Sequence, residues 1–104
     1  MKKIFLCCSA GMSTSMLVKK MQQTAADRGL EIKIDAIGMA NFEEAIESYD
    51  ICLLGPQVKF KLPDFQAHAA KLNKRVEVID PMAYGMMKSG QVLDQALVLL
   101  DETT

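Results

Sequence analysis

Two kinds of hydrophobic pattern alternate along the chain. Four short runs, 4–8, 30–36, 51–54 and 76–79, are typical of β-strands. Behind each run, apolar residues recur at the spacing of one helix face. The order is therefore β-α-β-α-β-α-β-α. It predicts a parallel sheet with helices on both faces, because parallel strands are joined by right-handed crossovers.

The apolarity of each run also predicts its place in the sheet. Runs 4–8 and 51–54 are apolar throughout and suit central strands, whereas 30–36 alternates apolar and polar residues like a strand near an edge. The predicted spatial order is 2-1-3-4, in a single doubly wound α/β domain that spans residues 1–104. In such a sheet the ligand crevice lies at the carboxyl ends of strands 1 and 3. We expect the segment after Cys8 to meet there the segment that begins Gly55-Pro56-Gln57.

Local signals predict where several helices begin and end. The hydroxyl run at 13–15 favours a helix start, and Gly29 suits the left-handed residue that follows a helix. Asn41, with Glu44 three residues later, resembles a capping pair, and Pro63 suits the first turn of the third helix. These signals put the first helix directly behind the small residues that follow the first strand.

Length, charge and cysteine content exclude several classes of function. A chain of 104 residues is long enough for one modest core, and a formal net charge of −1 provides no positive field for nucleic acid. The start of the chain has no signal-peptide pattern, so its three cysteines are expected to be reduced thiols in the cytoplasm. With one histidine and no CxxC motif, neither a zinc site nor a cofactor is expected.

The residues that follow Cys8 have the composition of an oxyanion-binding loop. They are small or carry hydroxyl groups, so consecutive backbone N–H groups can point into one concavity at the positive end of the next helix. That potential favours the thiolate form of a cysteine at the rim, and such a thiolate is suited to phosphoryl transfer through S-phosphocysteine. The residue type alone fits a small buried hydrophobe equally well, which is the role expected of Cys7 and Cys52.

One run carries a resemblance to a known family. The sequence Cys8-Ser9-Ala10-Gly11-Met12-Ser13-Thr14-Ser15 resembles the phosphocysteine loop of the IIB components of the phosphoenolpyruvate-dependent sugar phosphotransferase system. The similarity is to the lactose/cellobiose class, which includes diacetylchitobiose. Segments 53–57, 62–63, 76–80 and 84–85 resemble the same family in order, so the similarity covers nearly the whole chain.

The resemblance implies a four-stranded doubly wound fold and a phosphoryl relay. A IIA protein would transfer the phosphoryl group of its phosphohistidine to Cys8. Phospho-Cys8 would pass it to a sugar of the cellobiose, lactose or chitobiose class, held by the membrane IIC partner. The protein would be cytoplasmic and would associate with the membrane transiently through IIC.

The resemblance also implies the residues of the site. Cys8 would be the nucleophile, and the hydroxyls of Ser13 and Thr14 would add donors to the backbone amides of the loop. The predicted phosphate-binding loop consists of Ser9, Ala10, Gly11, Met12, Ser13, Thr14 and Ser15. From their positions in the chain, Gln57 and Tyr84 are predicted to lie on the rim of the crevice. His68 lies in an ordinary helical sequence and is expected to be a solvated helix residue.

Two alternative functions are weighed against the relay. Low-molecular-weight tyrosine phosphatases use a similar fold and a Cys-x5-Arg loop, and Asp80-Pro81 resembles their acid-bearing turn. Thr14 stands at the arginine position, so no guanidinium is available to clamp the transferred group. The other alternative is a redox-sensing thiol domain, for which the cysteine spacing offers no resolving pair.

Overall fold

The computed structural model describes residues 2–8 and 12–102, with the side chains of all of these except Met12, Ser13 and Glu102. These residues form four strands and five helices, with two helices after the last strand and two short 3₁₀ segments at Met39–Asn41 and Pro56–Lys61. The strands are β1 Lys2–Cys8, β2 Ile32–Gly38, β3 Ile51–Leu54 and β4 Arg75–Val78. The helices are α1 Met12–Asp27, α2 Phe42–Ser48, α3 Leu62–Ala70, α4 Pro81–Gly85 and α5 Ser89–Glu102.

The sheet has the predicted parallel topology, with strands in the order β2-β1-β3-β4. The two strands that are apolar throughout, β1 and β3, are central. Every residue of β3 is buried, as is β1 from Ile4 to Cys8. At the carboxyl edge, Cys8 pairs with Gly38 of β2 and Cys7 with Leu54 of β3. The chain reverses its winding between these central strands, and in doubly wound folds ligands bind at the carboxyl ends of the strands at such a point.

The core consists of one apolar cluster on each face of the sheet. On one face Ile4 and Leu6 pack with residues of α1, α4 and α5. On the other face Phe5 and Cys7 pack with residues of α2 and α3. There Phe42 stacks on Phe65 with ring centroids 3.8 Å apart and an interplanar angle of 3°. Successive β1 side chains therefore enter opposite layers, as strand geometry requires.

Several local predictions are confirmed and others are wrong. Pro63 lies in the first turn of α3, as predicted. Asn41 precedes α2 but makes no side-chain capping bond, because it belongs to the 3₁₀ segment and its ψ of 11° is not the extended backbone of a side-chain cap. The predicted strand 30–36 runs instead over Ile32–Gly38, where it pairs with all seven residues of β1. The turn expected after Asp80 contains the short helix α4.

Gly29 ends α1 in a left-handed conformation with φ of 70°. Its N–H donates to the carbonyl of Ala26 (3.0 Å), and the N–H of Leu30 donates to that of Ala25 (2.9 Å), which is the Schellman pattern. An added Cβ at Gly29 would meet no atom within 4 Å, so only the backbone conformation disfavours a side chain.

We expect Gly29→Ala to lower the free energy of unfolding by about 1 kcal/mol, because alanine is strained at positive φ. Urea denaturation followed by circular dichroism measures the change. Gly38→Ala is the matched control, since Gly38 has φ of −69° and equally open space around its Cβ position. Equal stability of Gly29→Ala and the wild-type protein would contradict the assigned role of Gly29.

Candidate active site at the carboxyl edge of the sheet

Cys8 is the last residue of β1 and exposes 2% of its surface. By strand alternation its side chain belongs to the layer of Ile4 and Leu6, opposite that of Cys7. Only residues 9–11 separate it from the first residue of α1. The predicted loop residues Ser9, Ala10 and Gly11 lie outside the described residues, as do the side chains of Met12 and Ser13.

The first turn of α1 supplies hydrogen-bond donors close behind Cys8. The N–H groups of the first four helical residues, 12–15, have no acceptor within a helix, and the helix dipole adds positive potential there. This turn contains no acidic residue that would compete with a bound anion. The start of α1 therefore has donors of the kind that an oxyanion requires.

The hydroxyl group of Thr14 is enclosed at this point. Thr14 is 0% exposed and is the only fully buried polar residue in the part of the chain that the structure describes. Its Oγ1 lies 3.0 Å from the hydroxyl oxygen of Tyr84, which is half-buried. Nε2 of Gln57 donates to the same Tyr84 oxygen at 3.1 Å. The structure thus brings together Thr14, Gln57 and Tyr84, from three different segments of the chain.

Local features fix the positions of these partners. Asp80 caps α4 by accepting a hydrogen bond from the N–H of Met82 (3.1 Å), which positions the helix that carries Tyr84. Gln57 lies two residues after Gly55 in the segment that follows β3, and its side chain folds back over Gly55. A Cβ at Gly55 would lie 2.5 Å from Oε1 of Gln57. Gly55 thus leaves the space in which the Gln57 amide lies.

The other two cysteines lie away from this edge. Cys7 and Cys52 are free thiols, are fully buried and hydrogen-bond to each other in the α2–α3 layer. Burial raises the pKa of Cys52 well above its usual value, and its contact with Cys7 adds to the rise. Cys52 is therefore a neutral, unreactive thiol. The sequence spacing does not indicate the contact between the two cysteines, because it depends on how β1 and β3 align.

His68 is also structural in character. It lies on α3, is half-buried and packs edge-on against Phe42, with ring centroids 6.0 Å apart. The predicted helical position is confirmed, and the ring is partly exposed to solvent while one side covers the α2–α3 layer.

The two features that a phosphatase would need, a loop arginine and a free general acid, do not match the residues at these positions. The residue at the arginine position is Thr14, which is neutral and already bonded to Tyr84. The carboxylate of Asp80 accepts the N–H of Met82 as a helix cap. No guanidinium therefore comes from that loop position, and the candidate general acid has a structural function.

Comparison with known proteins identifies the family. The family described as "PTS system, Lactose/Cellobiose specific IIB subunit" matches residues 3–95. The chain belongs to this family. As a IIB subunit it is a component of the phosphotransferase system and has a transferase role in sugar transport.

Two relatives are similar to this IIB subunit over nearly their whole length. The oligo-beta-mannoside-specific EIIB component of Bacillus subtilis (strain 168) is 46% identical over 100 residues, which is 96% of this chain and 97% of the relative. The cellobiose-specific EIIB component of Lactococcus lactis subsp. lactis (strain IL1403) is 39% identical over 105 residues, with the same coverage.

Solved structures show the same fold. A cellobiose-specific IIB component from Borrelia burgdorferi, 30% identical, aligns with a TM-score of 0.82 over 99% of this chain and 94% of its own. The lactose-specific IIB domain from Streptococcus pneumoniae aligns with a TM-score of 0.85 over 94% of this chain and 96% of its own. That domain is 16% identical, so it supports the fold alone. Among the described helices of this IIB subunit, none is long and apolar enough to cross a membrane.

Proposed function

We propose that Cys8 is the phosphoryl carrier of this IIB subunit. It accepts a phosphoryl group from the phosphohistidine of a IIA protein and donates it to a sugar held by the membrane IIC component. The observation that carries the proposal is the position of Cys8 at the carboxyl end of a central strand, directly before the N-terminus of α1, in a member of the IIB family.

The first transfer needs a nucleophile and a cradle for negative charge. The thiolate of Cys8 attacks phosphorus, an S–P bond forms, and the N–P bond to the IIA imidazole breaks as the imidazole leaves. The transferred group carries negative charge on its peripheral oxygens throughout. Backbone N–H groups of residues 10–15 and the hydroxyls of Ser13 and Thr14 form the cradle and stabilise this charge.

The second transfer reverses these roles. A sugar hydroxyl oxygen attacks phosphorus and releases its proton to water, the S–P bond breaks, and the Cys8 thiolate is regenerated as the O–P bond forms. The sugar belongs to the class that includes cellobiose, lactose and chitobiose. Relatives named for oligo-beta-mannosides and cellobiose support this class.

A carrier must hold its phosphoryl group without losing it to water. The 2% exposure of Cys8 limits the approach of water to the sulfur, and Thr14 replaces the arginine with which phosphatases stabilise hydrolysis. Both observations favour a carrier over a hydrolase. The protein is then phosphorylated only by a donor that docks against the carboxyl edge of the sheet.

A reconstituted relay tests the proposal. The protein is incubated with phosphoenolpyruvate, the general phosphotransferase proteins and a matching IIA, and peptide mass spectrometry locates the phosphoryl group. We expect one phosphoryl group per chain, on Cys8, and no sustained release of phosphate from an aryl phosphate. Phosphorylation at another residue, or steady hydrolysis of the aryl phosphate, would overturn the carrier assignment.

A further inference from the structure

We propose that Gln57 and Tyr84 are positioning residues that orient the Thr14 hydroxyl, so that its proton is donated to the phosphoryl group on Cys8. This inference rests on the proposed function, because it concerns how the cradle stabilises phospho-Cys8. The observations that carry it are the buried Thr14 hydroxyl, its contact with the Tyr84 oxygen at 3.0 Å, and the Gln57 bond to that oxygen at 3.1 Å.

Gln57, Tyr84 and Thr14 form a hydrogen-bonded series, and the donors available determine which way each bond points. The amide nitrogen of Gln57 can only donate, so the Tyr84 oxygen accepts that bond. The Tyr84 hydroxyl also has one proton to donate. Because its oxygen already accepts the bond from Gln57, this proton is directed to Oγ1 of Thr14. Oγ1 then acts as the acceptor, and the Thr14 proton is left to donate elsewhere. Hydrogen bonds in such a chain also polarise and strengthen one another.

The location of Thr14 gives that proton its target. Thr14 lies in the first turn of α1, whose unbonded N–H groups would hold the phosphoryl oxygens. A hydroxyl buried in that turn adds a donor to the same anion and is shielded from competing water. Without Tyr84, the hydroxyl group of Thr14 would rotate freely about its C–O bond and could direct its lone pairs toward the anion instead. No proton is transferred in this arrangement, and the hydroxyl chain only fixes orientation.

A substitution at Gly55 can disturb the hydrogen bond between Gln57 and Tyr84 without removing a polar group from either residue. A Cβ at this residue would lie 2.5 Å from Oε1 and 3.1 Å from the amide carbon of Gln57. Gly55 itself has φ of −61° and ψ of 146°, which alanine adopts without strain. Gly55→Ala therefore displaces the Gln57 amide and leaves the backbone intact.

The experiment measures the phosphoryl group directly, in phosphorylated protein separated from its donors. Phosphorus NMR follows the chemical shift against pH and gives the midpoint at which the group on Cys8 loses its second proton. A donated hydrogen bond stabilises the dianion, so its loss raises this midpoint. We expect a rise of about 0.5 to 1 pH unit for Thr14→Val, and about half as much for Tyr84→Phe and Gly55→Ala.

Conservative and remote variants separate positioning from general stability. Thr14→Ser keeps the hydroxyl and is expected to restore the wild-type midpoint. Tyr49→Phe removes a tyrosine hydroxyl that is bonded to Asp35 in the opposite layer of the core. This control is expected to leave the midpoint unchanged. Thermal melting confirms that each variant is folded before the titration.

Two outcomes would overturn the inference while leaving the proposed function standing. The first is a wild-type midpoint in Tyr84→Phe, which would mean that Thr14 needs no orienting partner. The second is a larger shift in Tyr84→Phe than in Thr14→Val, which would mean that the tyrosine itself contacts the phosphoryl group. If wild-type Cys8 accepts no phosphoryl group at all, the proposed function and this inference both fail.

Discussion

Replacement of Cys8 by serine is expected to abolish phosphoryl acceptance, with the rate reduced by at least about 1,000-fold. A serine hydroxyl is protonated at neutral pH and is a far weaker nucleophile than a thiolate. Cys8 exposes only 2% of its surface, so the exchange of one atom hardly changes the protein exterior against which a donor docks. The relay assay with peptide mass spectrometry measures the loss.

The chain contains matched controls for this variant. Cys7→Ala and Cys52→Ala remove buried thiols from the opposite layer of the core. Each is expected to lower stability by about 1 kcal/mol and to retain labelling on Cys8. Labelling that persists in Cys8→Ser, or that disappears in Cys52→Ala while the protein stays folded, would remove Cys8 from its assigned role.

Replacement of Thr14 by arginine, the residue that phosphatases have at this position, is expected to disrupt the site rather than convert it into a phosphatase site. In Thr14→Arg the guanidinium would occupy a position that is fully enclosed and bonded to Tyr84. Burial of an unpaired charge costs about 3 kcal/mol or more, so we expect a much lower melting temperature and little labelling of Cys8. Aryl phosphate hydrolysis is expected to stay at background.

Gln23→Arg is the control for this substitution, because it places the same side chain on the exposed face of α1. Its melting temperature and labelling are expected to equal those of the wild-type protein. A stable Thr14→Arg protein that hydrolyses aryl phosphate would show instead that the site tolerates a guanidinium group at this position. The distinction between carrier and phosphatase would then depend on one side chain.

The strand order was predictable because burial on both faces is visible in the composition of a strand. β1 and β3 are apolar throughout and lie in the centre, whereas the alternating pattern of β2 indicated a sheet edge. Helix ends were less predictable. Asn41 has the residue type of a cap but belongs to a 3₁₀ segment, and this backbone geometry depends on how β2 leaves the sheet.

The sequence predicts a location for the candidate site but not the hydrogen bonds within it. Parallel topology alone puts the end of β1 and the segment after β3 at one edge, so Cys8 and Gln57 were expected to be neighbours there. The bond between Thr14 and Tyr84 was not predictable, because no periodicity relates residues on α1 and α4. Nor does sequence indicate that a threonine in a hydroxyl-rich run would be fully enclosed.

The hydrogen bonds among Thr14, Tyr84 and Gln57 join residues that are synthesised far apart in time. Thr14 and Tyr84 are separated by 70 residues, and Gln57 and Tyr84 by 27. A nascent chain that has emerged only through β4 contains Cys8 and the start of α1 but lacks Tyr84. Contacts between such distant residues form only after most of the chain has collapsed. If Cys8 is the carrier that we propose, we expect full competence late in folding, when the polypeptide after the last strand has docked.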